Sequence, residues 1–185
     1  TWRPTQRIID AYDQVNDIRY AAYFFEEPIL KASSSRNLSA ILINKYAGTA
    51  YGTPGELLAD AKVFRTGEMY LIRSEARAET GDITGAAADL NALRAARINN
   101  YTNASFATKG DVIDAVMTVR FKELPYEGHR FFDAKRRNLG ITRLAVDAQG
   151  TALTLPAGNF RFILPIPNTE IQANPLMTQN PGYTN

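Results

Sequence analysis

The chain has 185 residues, 45% of them hydrophobic and 22% charged, which at roughly 100–200 residues per domain means one domain or two small ones. A chain of this length buries roughly 70% of the surface it exposes when unfolded, so it needs neither a disulfide nor a metal to fold. Twenty-one Lys and Arg against 19 Asp and Glu leave a net charge of +2, with no cysteine and one histidine. That excludes disulfides, thiol catalysis, cysteine or His-rich zinc sites and a broadly basic nucleic-acid surface.

No apolar run approaches the ~20 residues of a membrane span. Residue 1 is Thr, and no positively charged, apolar leader follows it. The expectation is a processed product or a fragment.

Residues 1–60 read as loop-rich and mixed. Pro4 starts a short helix through Ile8, Ile9 and Tyr12, and Asp13 to Asp17 is turn-like. Ala21 to Phe25 fits a strand or a short helix. Leu38 to Tyr46, with Ile41, Leu42 and Ile43, fits a buried strand. Tyr51-Gly-Thr-Pro-Gly55 is a turn cluster.

Residues 61–98 carry the clearest pattern. Val63, Gly67, Tyr70, Leu71, Ser74 and Ala78 share one helical face, with Arg65, Glu68, Glu75 and Glu79 on the other. Gly81 stops this helix and Asp82 caps the next. That second helix carries Ile83, Ala86, Ala87, Leu90 and Leu93 through Arg97. The pair predicts an antiparallel hairpin that resembles a single tetratricopeptide-type unit. One such unit cannot bury both faces, and no second copy appears at the ~34-residue period. The expectation is that further repeats lie in sequence absent from this chain.

Asn99 to Gly110 is a polar loop. Asp111, with Asp114, is expected to cap a helix bearing Val112, Ile113, Val116, Met117 and Leu124, which Pro125 kinks or ends. Tyr126 to Arg137 resumes helically. Thr151 to Leu155 and Phe160 to Leu164 flank Pro-Ala-Gly-Asn as a β-hairpin. The last twenty residues, with Pro165, Pro167, Pro175 and Pro181, form turns and short helical pieces packed on the body. Residues 111–185 thus make a C-terminal set of helices, hairpin and tail.

The densest polar stretch runs from Glu123 to Arg136. Glycoside hydrolysis needs two carboxyls facing each other across a sugar, roughly 5–9.5 Å apart. Glu123 and Glu127, at i and i+4 on one helix, point the same way. The stretch reads instead as a ladder of structural pairs: Glu127–Arg130, His129–Asp133 and Asp133–Arg136. A carboxylate set with one His makes a poor transition-metal site, so no metal is assigned. No phosphate-binding, dinucleotide or nucleophile-elbow motif occurs, and no cofactor is implied. Lys135-Arg136-Arg137 reads as a helix-end charge complement, not a nucleic-acid patch. Phe64, Tyr70, Phe131, Phe132, Phe160 and Phe162 sit in periodic segments and read as core. Trp2, Tyr46, Tyr51 and Tyr101 lie in or beside loops. As exposed flat rings they are candidates to stack on a sugar.

The order of motifs resembles a known family. Tyr12-Asp-Gln-Val-Asn-Asp17-Ile-Arg19 and Lys45-Tyr46 come first. Arg65…Glu68…Glu75-Ala76, Gly81-Asp82 and Leu90-Asn91…Arg94 follow. Next are Arg120…Glu123-Leu-Pro-Tyr-Glu127-Gly-His-Arg130-Phe-Phe-Asp133…Arg136, and last Leu164-Pro-Ile-Pro167…Asn174-Pro175…Gln179-Asn-Pro-Gly-Tyr183. Together they resemble the C-terminal portion of the SusD/RagB family of outer-membrane nutrient-binding lipoproteins. The sequence departs from the pattern at Ser74, where Ala is usual, at Val119 and at Ala134.

The resemblance implies a mainly α fold of tetratricopeptide-like helix pairs, an α/α superhelix, with a loop-rich part and one or two short β-hairpins. It implies a non-catalytic binder of oligosaccharide or polysaccharide at the bacterial cell surface, as in starch utilization. Such a binder hands nutrient to a SusC-like TonB-dependent transporter. Contact with the outer membrane runs only through an N-terminal lipid anchor absent from this chain. The alternative is a tetratricopeptide-type scaffold that binds peptides or a protein partner. A glycoside hydrolase built on Glu123 and Glu127 is a third reading.

Overall fold

A computed structural model describes residues 3–33, 40–46, 48, 53–55, 58–60, 62–148, 150, 153–174 and 176–183. Trp2 and Tyr51 lie outside them. The chain divides into two units, Thr1–Glu127 and Gly128–Asn185.

The first unit begins with helix α1 (Gln6–Asp10), whose Ile8 and Ile9 are buried. Asp13 then accepts the amides of Val15 and Asn16, which fixes the expected turn. Asp17 caps α2 (Ile18–Tyr23) by accepting the Arg19 amide. The Ala21–Phe25 segment resolves into both of its alternatives. It completes α2 and opens strand β1 (Phe24–Glu26). After α3 (Pro28–Ser33), strand β2 (Ile41–Ile43) pairs antiparallel with β1, placing Phe24 opposite Ile43. Ile8, Ile9, Tyr12, Tyr23 and Phe24 form a small core here. Tyr12 and Tyr23 meet Phe24 edge to face at 5.7 and 6.4 Å, an arrangement the ring quadrupole favours.

The helical hairpin forms as expected, from α4 (Thr66–Glu79) and α5 (Ile83–Ala95). Gly81 takes φ +92°, and Asp82 accepts the Gly85 amide at 2.8 Å. Leu71, Ala78, Ala86 and Leu90 are fully buried between the helices. Ser74 donates its hydroxyl to the Ala86 carbonyl at 2.7 Å, so the polar substitution is satisfied. Asp89 accepts from Arg73 and Arg77 and cross-links the pair.

Helix α6 (Lys109–Glu123) lies against the hairpin through Val112, Ile113, Val116 and Met117. Its cap is Thr108, not Asp111 as expected. Asp111 stands three residues on and completes a capping box with Thr108. The helix ends at Glu123, two residues before Pro125.

The second unit holds α7 (His129–Arg136), two paired strands β3 (Ile141–Thr142) and β4 (Thr154–Leu155), and α8 (Asn168–Ala173). The expected hairpin between Leu155 and Phe160 does not form. Asn159 accepts the Arg161 amide and bends Phe160–Phe162 into a 3₁₀ turn, while β4 pairs with β3 instead. Phe162 is nonetheless buried, 5.8 Å from the Phe131 ring. The tail is tied by side-chain amides. Gln179 accepts from the Ile166 amide and donates to its carbonyl, mimicking a strand partner. Asn180 donates to Leu164, and Tyr183 donates to Ile163.

Five core or face expectations fail. Phe64 (86% exposed) and Val63 precede α4 in extended chain, outside its periodicity. Phe132 is exposed, because the adjacent Phe131 takes the packed side of the short α7. Arg65 and Glu75 turn away from solvent. Among the described residues the architecture is the expected one: mainly helical, with a tetratricopeptide-like pair and two small antiparallel sheets.

Candidate functional site

The end of α6 is the electrostatic centre of the first unit. Glu123 has a fully buried carboxylate. Arg19 reaches it at 3.0 Å, Arg65 at 3.0 Å and Arg97 at 2.9 Å. Glu127 pairs with Lys45 and Arg65. Asp17 pairs with Arg19 at 2.7 Å and Lys122 at 3.2 Å. Three carboxylates therefore face five cations drawn from α2, the ends of β2, α4, α5 and α6. Each carries charge-assisted hydrogen bonds, the condition under which buried charge is tolerable.

The backbone is gathered into the same network. The Glu123 carbonyl, an orphan acceptor at the helix end, takes donors from Lys45 at 3.2 Å, Arg65 at 2.8 Å and Tyr23 at 3.4 Å. Lys45 also donates to the Pro125 carbonyl at 3.0 Å. Gly67 gives the carboxylate its space: a Cβ there would lie 2.7 Å from Glu123 Oε1.

The chemistry this permits is restricted. Burial pushes the Glu123 carboxyl up. Hydrogen bonds and charge from Arg97 and Arg19 outweigh burial and leave it below its usual range. A glycosidase acid needs the opposite, a raised carboxyl that holds a proton near neutral pH. Glu123 is also shut away from solvent. Burial pulls the Lys45 ammonium down to about 8, against the hydrogen bond it donates to Glu127. The arrangement is a structural knot, not a catalytic pair.

The expected ladder is realised in part. Asp133 and Arg136 pair at 2.8 Å. Glu127 gives its carboxylate to Lys45 and Arg65, which lie far away in sequence. His129 and Arg130 both lie on α7. Among the described residues, no group of three or more His, Asp or Glu stands close enough to hold a metal ion.

Of the loop aromatics, Tyr46 follows β2 half-buried, and its hydroxyl donates to the Tyr126 carbonyl at 3.4 Å. Tyr101 is also half-buried. Its hydroxyl donates to Asn91 Oδ1 at 2.7 Å, while Asn91 holds Ala104 through both backbone groups. That pinning shapes one wall of an open groove of about 620 Å³ along the outer side of α5. Ala88, Ala92 and Ala95 floor it, and Asn103, Ser105 and Phe106 face them. Tyr46 and Tyr101 are not brought together by any contact.

Local spacing could not reveal the knot, because its members span Asp17 to Glu127. The motif order did quote Asp17, Arg19, Lys45, Arg65 and Glu123, but gave them no shared role.

The model of the SusD family matches residues 21–183. No curated protein sequence matches the chain. Among solved structures, one similar protein from Bacteroides vulgatus is provisionally assigned as sugar-binding. It is 26% identical with a TM-score of 0.75, and the match covers 97% of this chain and 39% of that one. A SusD superfamily protein from Bacteroides thetaiotaomicron is also 26% identical with a TM-score of 0.76, covering 96% and 40%. Another, from Bacteroides vulgatus, is 29% identical with a TM-score of 0.71, covering 92% and 36%. The chain thus spans about two fifths of the length of these relatives.

Proposed function

The chain belongs to the SusD family, and on that premise we propose that it serves non-catalytic glycan capture at the bacterial outer-membrane surface. In this reading the whole protein is lipid-anchored and hands oligosaccharide to a SusC-like TonB-dependent transporter. Trp2, Tyr46, Tyr51 and Tyr101 are its candidate sugar contacts. The observation that carries the reading is the family match across residues 21–183. A sugar-binding assignment for one structural relative supports it. The neutralised Glu123 and Glu127 fit capture without cleavage.

Affinity electrophoresis through gels containing amylopectin, xylan, laminarin or mannan tests this. Retardation by at least one glycan, with no reducing ends released, is the expected result. Free migration in every gel would remove the polysaccharide reading. One feature favours a second reading, peptide capture by a tetratricopeptide-type scaffold. The α5 groove carries no charged lining residue and runs about 18 Å, three turns of helix.

A further inference from the structure

The turn after α6 holds an aromatic residue in a conformation that aromatic residues avoid. Tyr126 has φ +64°, in the left-handed region that favours glycine. Such backbone persists only where the surroundings over-determine it, and it concentrates at binding sites. Here the surroundings do so. Lys45 holds the carbonyls of Glu123 and Pro125, and Tyr46 holds the carbonyl of Tyr126 itself. Lys45 and Arg65 clamp the next side chain, Glu127. Pro125, just before, is buried.

The held ring does not serve packing alone. Tyr126 is 44% exposed, and its ring stands perpendicular to that of Phe24, at 82° with centroids 6.5 Å apart. The Tyr46 hydroxyl stands beside it in a solvent-exposed hydrogen bond. That oxygen donates to the Tyr126 carbonyl and keeps lone pairs for an incoming hydroxyl. The surface therefore offers a flat electron-rich face with a hydroxyl acceptor next to it. A pyranose presents the complement: one face of C–H groups, rimmed by hydroxyls. Because the ring is fixed beforehand, binding costs little ordering.

We propose that Tyr126 and Tyr46 form a sugar-stacking subsite, with Tyr126 as the platform and Tyr46 as a polar contact at its edge. The proposal rests on the glycan reading above and adds a position, Tyr126, that loop composition did not single out.

The test uses the same four gels with the unaltered chain, Tyr126→Gly, Tyr126→Asn and Tyr126→Phe, each melted by circular dichroism. Gly and Asn both accept φ +64°, so they remove the ring without opposing the turn. The expected result is retardation of the unaltered chain and a loss of 10-fold or more in affinity for Gly and Asn. Tm should hold, and Phe should keep most of the affinity. Equal retardation of all four proteins overturns the subsite and leaves glycan capture standing. A lowered Tm in both the Gly and Asn variants also overturns it, because the ring would then be structural. Free migration of the unaltered chain in every gel overturns glycan capture, and the subsite with it.

Discussion

Glu123 is wholly enclosed, and what makes that tolerable is the number of donors around it. Arg19, Arg65 and Arg97 direct guanidinium N–H groups at its two oxygens. Replacing the carboxylate by an amide keeps the volume but removes the charge. It also turns NH₂ donors toward guanidinium donors. Breaking a buried ion pair by removing one partner costs about 3–5 kcal/mol. Glu123→Gln is therefore expected to lose roughly that much in urea unfolding, with its m-value unchanged. A loss under about 1 kcal/mol would show that water or chain relaxation solvates the arginines, and that the knot contributes specificity instead of stability. The same reasoning explains why this centre was only half visible in the sequence. Asp17 read as part of a turn, Lys45 as part of a strand, and Arg65, Glu123 and Glu127 as charges on helices, with nothing local to join them. Glu123 and Glu127 invited comparison with each other, whereas their partners come from segments as far away as Arg19 and Lys45.

Helices α4 and α6 approach closely where Gly67 faces Glu123, and the contact sets two tendencies against each other. In a helix interior Ala is favoured over Gly by roughly 1 kcal/mol, and Gly67, the second residue of α4, gains at most that. Yet an added Cβ would lie 2.7 Å from Glu123 Oε1, a carboxylate that three arginines hold in place. Overpacking a well-filled site typically costs about 1–3 kcal/mol. The clash should win, so Gly67→Ala is expected to lower Tm despite improving helix propensity, and a raised Tm would show that Glu123 gives way. At this scale the sequence was most legible where order is local. Gly81-Asp82 between two apolar stripes was enough to place the α4–α5 hairpin. It was least legible where a side chain redirects the chain. Asn159 turned an alternating Phe160-Arg-Phe162 into a 3₁₀ turn, and period-2 hydrophobicity alone cannot distinguish that from a strand. The Pro-Ile-Pro and Gln-Asn-Pro-Gly-Tyr segments were legible as motifs but not as a mechanism. Only the structure shows Gln179 bonding both backbone groups of Ile166.

For the whole molecule, the knot sets how stability responds to pH, and its acid and base limbs have different origins. Asp17 and Glu123 titrate below their ordinary range when folded. In both, burial raises the carboxyl and basic partners outweigh it. The stability they confer is present above the ordinary carboxylate pKa and is lost as pH falls through their folded values. Lys45 works in the other direction. Burial lowers it from 10.5 to about 8, so between pH 8 and 10.5 the unfolded chain binds more protons than the folded one. Stability therefore rises with pH across that window. The lowered Lys122 adds to the rise. Tyr126, raised by burial to about 12, opposes it above pH 10, as do Tyr12 and Tyr23. The maximum is thus expected between pH 9 and 10. Across its whole window Lys45 alone accounts for a gain on the order of 3 kcal/mol. Urea unfolding at half-unit steps from pH 7 to 10.5 checks this, with Lys45→Met alongside. The variant keeps the buried aliphatic stem but cannot titrate, so its profile should lose most of the rise between pH 8 and 9.5. If both proteins rise equally, the alkaline gain belongs to Lys122, and Lys45 stays charged in the folded state with Glu127 as its counter-ion.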